Sequence, residues 1–170
     1  HNETSMRLSV RDLVAFGRFP HSGGRLTSHD QQQIDEAIDY LRLTFLQHKP
    51  IDELSGGQRQ RAYVAMVMCQ DTDYVLLDEP LNNIDMRHAV DMMQLLRSAA
   101  DDKGKTVVVV LHDINFASCY ADHIIAMQAG KLACQGSPAE VIQQRVLGAL
   151  YQMDIRVHEI EGRRICTYYR

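Results

Sequence analysis

Leu54-Ser55-Gly56-Gly57-Gln58, followed by Tyr74-Val75-Leu76-Leu77-Asp78-Glu79-Pro80, decides how this chain is read. Ser55-Gly56-Gly57-Gln58 has capping-box form, and the helix it opens continues through Ala62, Ala65, Met66 and Cys69. Two glycines let an anion approach the backbone, the helix start presents free N–H groups to it, and the Ser55 hydroxyl adds a donor. An ordinary capped helix meets the same Ser-x-x-Gln spacing. The second phrase reads as a short buried strand, Asp73 to Leu77, that ends in two adjacent carboxylates. Open α/β sheets place their ligands at that end. An aspartate at Asp78 suits Mg2+, held mostly through water because magnesium gives up its hydration shell reluctantly. Glu79 is expected to point the other way on an extended chain, where it would orient or deprotonate an attacking water. Vicinal acids after a strand are also what a solvated turn looks like, but four apolar residues before this pair and Pro80 after it favour the functional reading.

Downstream, helix and strand alternate. Leu81-Asn82-Asn83-Ile84-Asp85 leads into an amphipathic helix, Asp85 to Ala99, which Asp85 would cap. Thr106 to Leu111 is Val-rich and unalternating, as a parallel strand covered on both faces should be. His112 ends that strand and is expected on the same sheet edge as Asp78. There it would reach a terminal phosphate and hold the water and Glu79 in register; a lone histidine is also often a surface or core residue. Phe116 to Ala121 reads as helix and Ile124 to Met127 as strand, with a turn at Gln128-Ala129-Gly130-Lys131. Ser137-Pro138-Ala139-Glu140 is a helix start with proline at the first position. The tail, Ile155 to Tyr169, alternates around Glu161-Gly162 as a β-hairpin does.

Upstream, residues 1 to 50 read as helical. Ser9-Val10-Arg11-Asp12 is a capping-box start, Gly17-Arg18-Phe19-Pro20 and Gly23-Gly24 break the helix, and Ser28-His29-Asp30-Gln31 opens a second one. Gly104-Lys105-Thr106 imitates the end of a phosphate-binding loop. However, Ala99 stands where the first glycine belongs, and the phrase leads into a strand instead of opening a helix.

With 170 residues, 45% apolar and 24% charged, the chain is long enough to bury a core and has the composition of a globular domain. A net charge of −4 without a basic stripe gives no reason to expect nucleic acid. The longest apolar run, Val107 to Leu111, is too short to span a bilayer, and the polar start His1-Asn2-Glu3-Thr4-Ser5 does not read as a signal peptide. Cys69, Cys119, Cys134 and Cys166 lack metal-type spacing and read as reduced thiols.

The order of signature phrase, Asp-Glu strand end, Asn-Asn-Ile-Asp and strand-end histidine resembles that of ABC-transporter ATPase subunits, across essentially the whole chain. The phrases Val10 to Pro20, Glu79 to Asp85, and Met153 through Tyr169 resemble in particular the ATPases of iron-siderophore importers, with cobalamin and haem importers as close relatives. The resemblance implies an α/β fold: a partial P-loop NTPase core of parallel strands and flanking helices, with an N-terminal helical subdomain and a C-terminal β-hairpin. It implies a permease-docking subdomain at 1–54, core at 55–150 and hairpin tail at 151–170. By the same resemblance, Ser55, Gly56, Gly57 and Gln58 would contact the γ-phosphate of ATP bound to a second ATPase subunit. Asp78 would hold the Mg2+ shell, Glu79 would be the catalytic base, Asp85 would belong to the inter-subunit loop and His112 to the switch. The implied partners are a transmembrane permease and that second subunit, on the cytoplasmic face of the inner membrane. The family's phosphate loop, adenine-stacking aromatic and glutamine loop would precede His1. The expectations are therefore an unpaired sheet edge with exposed apolar surface, poor ATP binding and no hydrolysis by this chain alone, with a non-catalytic interaction module as the alternative.

Overall fold

The computed structural model describes residues 7–169; residues 1–6, including the polar start, and residue 170 lie outside the described residues. The chain forms two compact units, one through Val110 and one from Leu111 onward.

The first unit opens with helix α1 (Val10–Ala15), capped by Ser9: the Asp12 backbone N–H donates to the Ser9 hydroxyl, and the Ser9 N–H to the Asp12 carboxylate. The chain is not simply broken at Gly17 to Pro20, as the sequence had suggested. A 3-10 turn at Phe16–Arg18 runs into the one-turn helix α2 (Phe19–Ser22), because Pro20 sits in the first turn, where no helical N–H partner is lost. Helix α3 (Ser28–Tyr40) takes Thr27, not Ser28, as its cap, since the Asp30 carboxylate reaches back three residues to the Thr27 N–H at 2.9 Å. Helices α1, α3 and α4 (Gly56–Met68) pack together around Val10, Val14, Ile34, Ile38 and Ala65, all buried. Into this interior Arg18 and Asp30 carry a charge pair, each residue 4% exposed, with Arg18 Nε 2.8 Å from the Asp30 carboxylate. A second Arg18 nitrogen donates to the Cys69 carbonyl at the end of α4. Burial pushes the Cys69 thiol up to about 11.

Strand β1 (Tyr74–Asp78) pairs in parallel with β2 (Thr106–Val110), from Tyr74 opposite Thr106 to Asp78 opposite Val110. Helix α5 (Met86–Asp101) makes the crossover and buries Met92, Met93, Leu95 and Leu96. The Val-rich pattern of β2 is that of a strand covered on both faces, yet the exposed apolar surface expected from the missing flanking strands is what the sheet shows. Val75 and Leu77 are buried, whereas Tyr74 and Leu76 are 65% and 67% exposed, and Val108 and Val110 49% and 48%. Among the described residues this sheet has two strands, so one face and both edges lack further strands. Apolar side chains on both faces state what a strand is built to meet, not what is present to meet it.

In the second unit, helix α6 (Ile114–Tyr120) is capped by Asp113, whose carboxylate accepts from the N–H groups of Asn115 and Phe116. Two antiparallel hairpins follow, β3 (Ile124–Gln128) with β4 (Lys131–Gly136), and β5 (Arg156–Ile160) with β6 (Arg163–Thr167). Between them lie α7 (Pro138–Val141), with Pro138 in its first turn, and α8 (Gln144–Tyr151). Ile142, Leu147, Ile155 and Cys166 form the core, flanked by Ile114, Ile124, Val157 and Tyr168. Asn115 anchors α6 to β6 as a backbone group would: its amide donates to the Cys166 carbonyl, and its side-chain oxygen accepts from the Cys166 N–H at 2.7 Å.

Candidate functional site

Ser55 lies outside α4 in extended conformation and caps it. Its hydroxyl accepts from the Gln58 N–H at 3.3 Å, while the Gln58 side-chain oxygen accepts from the Ser55 N–H at 3.1 Å. The Arg59 N–H already bonds the Ser55 carbonyl. The first-turn N–H groups of Gly56 and Gly57 have no acceptor within the helix, and they carry the positive end of its dipole. Ser55 and Gly56 are exposed, so an anion can reach this end.

The glycines are needed for a second reason that the sequence did not reveal. A methyl group built on Gly56 would stand 2.8 Å from the Asn83 carbonyl oxygen, and one on Gly57 would stand 2.8 Å from Cγ of His88. The segment from Asn83 to His88 thus lies directly against the helix start, and side chains larger than hydrogen would force it away.

Asp78 is the last residue of β1 and is exposed. Glu79 follows in the left-handed region, φ +48°, so the alternation argument for its direction fails: it is no longer extended chain. The half-buried Glu79 carboxylate accepts a hydrogen bond from the Asn82 side-chain amide, and the Asn82 N–H donates to the Glu79 carbonyl. Asp85 caps α5, as expected, accepting from the His88 N–H at 3.0 Å, and its other oxygen lies 2.6 Å from His88 Nδ1. The His88 backbone N–H, and then its ring, hold the Asp85 carboxyl below its ordinary value. Asn82 and His88 are the residues that sequence reasoning passed over. The signals available were Asn82 three residues after the base candidate and Asp85-x-x-His88 at capping distance.

The first unit therefore brings Ser55 to Gln58, Asn83, Asp85 and His88 into one contact group, with Asp78 and Glu79 at the start of the same turn. His112 does not end β2, which stops at Val110, the register partner of Asp78. It is exposed on the connection to α6, in the second unit, one residue before the Asp113 cap. Lys105, in the phrase that imitates a phosphate loop, donates to the Asp71 carboxylate and the Thr72 carbonyl, and Thr106 opens β2. No group of three His, Cys, Asp or Glu side chains among the described residues gathers to hold a metal ion. An exposed carboxylate at a strand end nevertheless suits a magnesium–phosphate ligand, because Mg2+ takes one or two protein carboxylates and fills its shell with water and phosphate oxygens.

The ABC transporter family model matches residues 1–82. The petrobactin import ATP-binding protein YclP of Bacillus subtilis (strain 168) is 50% identical over 168 residues, which are 99% of this chain and 67% of that protein. A metal-chelate type ABC transporter solved in an inward-facing conformation matches with a TM-score of 0.86 at 26% identity, over 99% of this chain and 68% of that one. A dimeric ATP-binding cassette in a post-hydrolysis state, bound to ADP and Pi, matches with a TM-score of 0.65 at 29% identity, over 77% of this chain and 57% of its own. The chain spans 54% to 67% of the length of the curated relatives it matches.

Proposed function

The chain belongs to the ABC transporter ATPase family, and we propose that it is the signature- and carboxylate-bearing part of the ATP-hydrolysing subunit of a ferric-siderophore importer. The observation that carries this reading is the contact group of the first unit, in which an anion-ready helix start and a carboxylate-tipped strand are joined by one short turn. The petrobactin and metal-chelate relatives support the iron-chelate substrate. The ADP-bound dimer supports a second ATPase subunit as partner.

In this reading Ser55 and the Gly56 and Gly57 N–H groups donate to the γ-phosphate of ATP held by the second subunit, with Gln58 beside them. Asp78 would hold the Mg2+ of the nucleotide bound by its own subunit. That ion, when bound, offsets charge on the phosphates and orients the leaving group. Glu79 is the general base: its carboxylate takes a proton from water, and its bond from Asn82 limits the directions in which it does so. Asp85 belongs to the contact between subunits, and His112 holds the attacking water in register. The region at 1–54 docks on a membrane permease, and the subunit works at the cytoplasmic face of the inner membrane. No helix among the described residues is long and apolar enough to cross it.

In the full-length subunit, Glu79→Gln should slow ATP hydrolysis by about 10²–10⁴-fold, the usual loss for a general base, and leave ATP binding intact. Steady-state phosphate release beside equilibrium nucleotide binding measures both; undiminished turnover would remove Glu79 from the base role.

A further inference from the structure

We propose that His88 is a positioning residue for hydrolysis, locking the Asp85 turn against the first turn of the signature helix so that the phosphate donors of Ser55 to Gln58 and the Glu79 carboxylate are held as one piece. This rests on the assignment above of Ser55 to Gln58 as phosphate donors and Glu79 as base.

An N-cap needs one carboxylate oxygen and one backbone N–H, and His88 supplies more. Its backbone N–H donates to one oxygen of Asp85, and its ring Nδ1 lies 2.6 Å from the other. A carboxylate offers only lone pairs, so Nδ1 carries the hydrogen and donates. The ring orientation is fixed by that bond, and the face so oriented is the one pressed on the signature helix. A methyl group on Gly57 would lie 2.8, 3.0 and 3.1 Å from Cγ, Cδ2 and Cβ of His88. The adjoining residue makes the neighbouring contact, with the Asn83 carbonyl oxygen 2.8 Å from where a Gly56 methyl would stand.

The other end of the same turn is tied to the catalytic carboxylate. Asn82 bonds Glu79 through both its backbone and its side chain, and Glu79 and Asn83 both adopt left-handed backbone, at φ +48° and +59°. Left-handed conformation in residues other than glycine costs energy and persists where surrounding contacts hold it. Only three residues, Pro80 to Asn82, thus separate the base from the residue that abuts Gly56. His88 closes the far side. Loss of its ring would leave α5 capped by the His88 N–H alone and open a gap beside Gly57.

The test uses His88→Ala and His88→Asn in the full-length subunit. Asn keeps Cγ and places a side-chain N–H donor where Nδ1 stood. His88→Ala should lower kcat on the order of tenfold, within the range that small misplacements cost, and change ATP affinity less than about twofold. Amide exchange at Gly57, Gln58 and residues 82–85 should quicken. His88→Asn should recover most of both losses. The proposal is overturned if His88→Ala keeps wild-type turnover per folded molecule, if exchange at Gly57 is unmoved, or if Asn is no better than Ala. A wild-type subunit with no turnover would defeat the functional reading instead, and the exchange comparison would then decide the packing claim by itself.

Discussion

Arg18 and Asp30 show what a single buried pair does to the pH behaviour of the first unit. The Thr27 N–H and hydroxyl, followed by the Arg18 guanidinium, hold the Asp30 carboxyl well below its ordinary 3.8. A carboxyl more acidic in the folded than in the unfolded chain stabilises the fold above the unfolded value, and that stabilisation is lost as pH falls through 3.8 toward the folded value. Asp30→Asn should therefore flatten the loss of stability between about pH 5 and pH 3, read as the change in urea midpoint across that interval; an unchanged slope would exclude Asp30 as its source. Such residue-scale features were only partly legible. Capping boxes are local, so Ser9, Ser55 and Ser137 could be read from spacing, and Thr27 displaced Ser28 because Asp30 reaches the nearer N–H. The charge pair depends on packing between distant segments, and no local pattern announces it. Glu79 misled for a related reason: alternation holds while the strand lasts, and the strand ends one residue earlier.

The elements divide along the same line. Helix α3 was visible from Ile34, Ala37, Ile38 and Leu41 at helical spacing, and the first three are buried within it, with Leu41 buried at its end. Ile38→Ala should cost about 2–5 kcal/mol, the usual loss for an aliphatic core side chain, measured by equilibrium urea unfolding. A cost below about 0.5 kcal/mol would mean that α3 is not held by this face. Both hairpin turns were readable because Ala129-Gly130 and Glu161-Gly162 place glycine at the second of two left-handed positions, which suits the twist of the flanking strands. The composition of β1 and β2 did not show their bare face, which was expected only from the flanking strands that the family resemblance leaves out. Alternation reports which neighbours a strand was shaped for, and a parallel strand shaped for two layers keeps its apolar pattern when only one is there.

At the scale of the whole chain, the proposed function makes two half-sites coexist. The helix start at Ser55 would serve a nucleotide held elsewhere, and the carboxylates at Asp78 and Glu79 would serve one held by residues outside these 170. The 170-residue chain by itself should accordingly show no saturable ATP binding in the micromolar range and no hydrolysis. Titration calorimetry decides the first, and a micromolar isotherm would contradict it. The family and the parallel strand–helix–strand unit were legible from motif order. The contact between the helix start and the Asn83 to His88 segment was not, because glycine's smallness leaves no mark in sequence to distinguish room for a phosphate from room for a neighbouring loop.

The bare face of Tyr74, Leu76, Val108 and Val110 has a consequence for the chain's handling in a cell. Strands with open edges and an apolar face are templates for further strands, whether the next comes from the same protein or not. Made by itself, this stretch would be a client of holdase chaperones, and its yield would depend less on how well its core packs than on how quickly that stripe is covered.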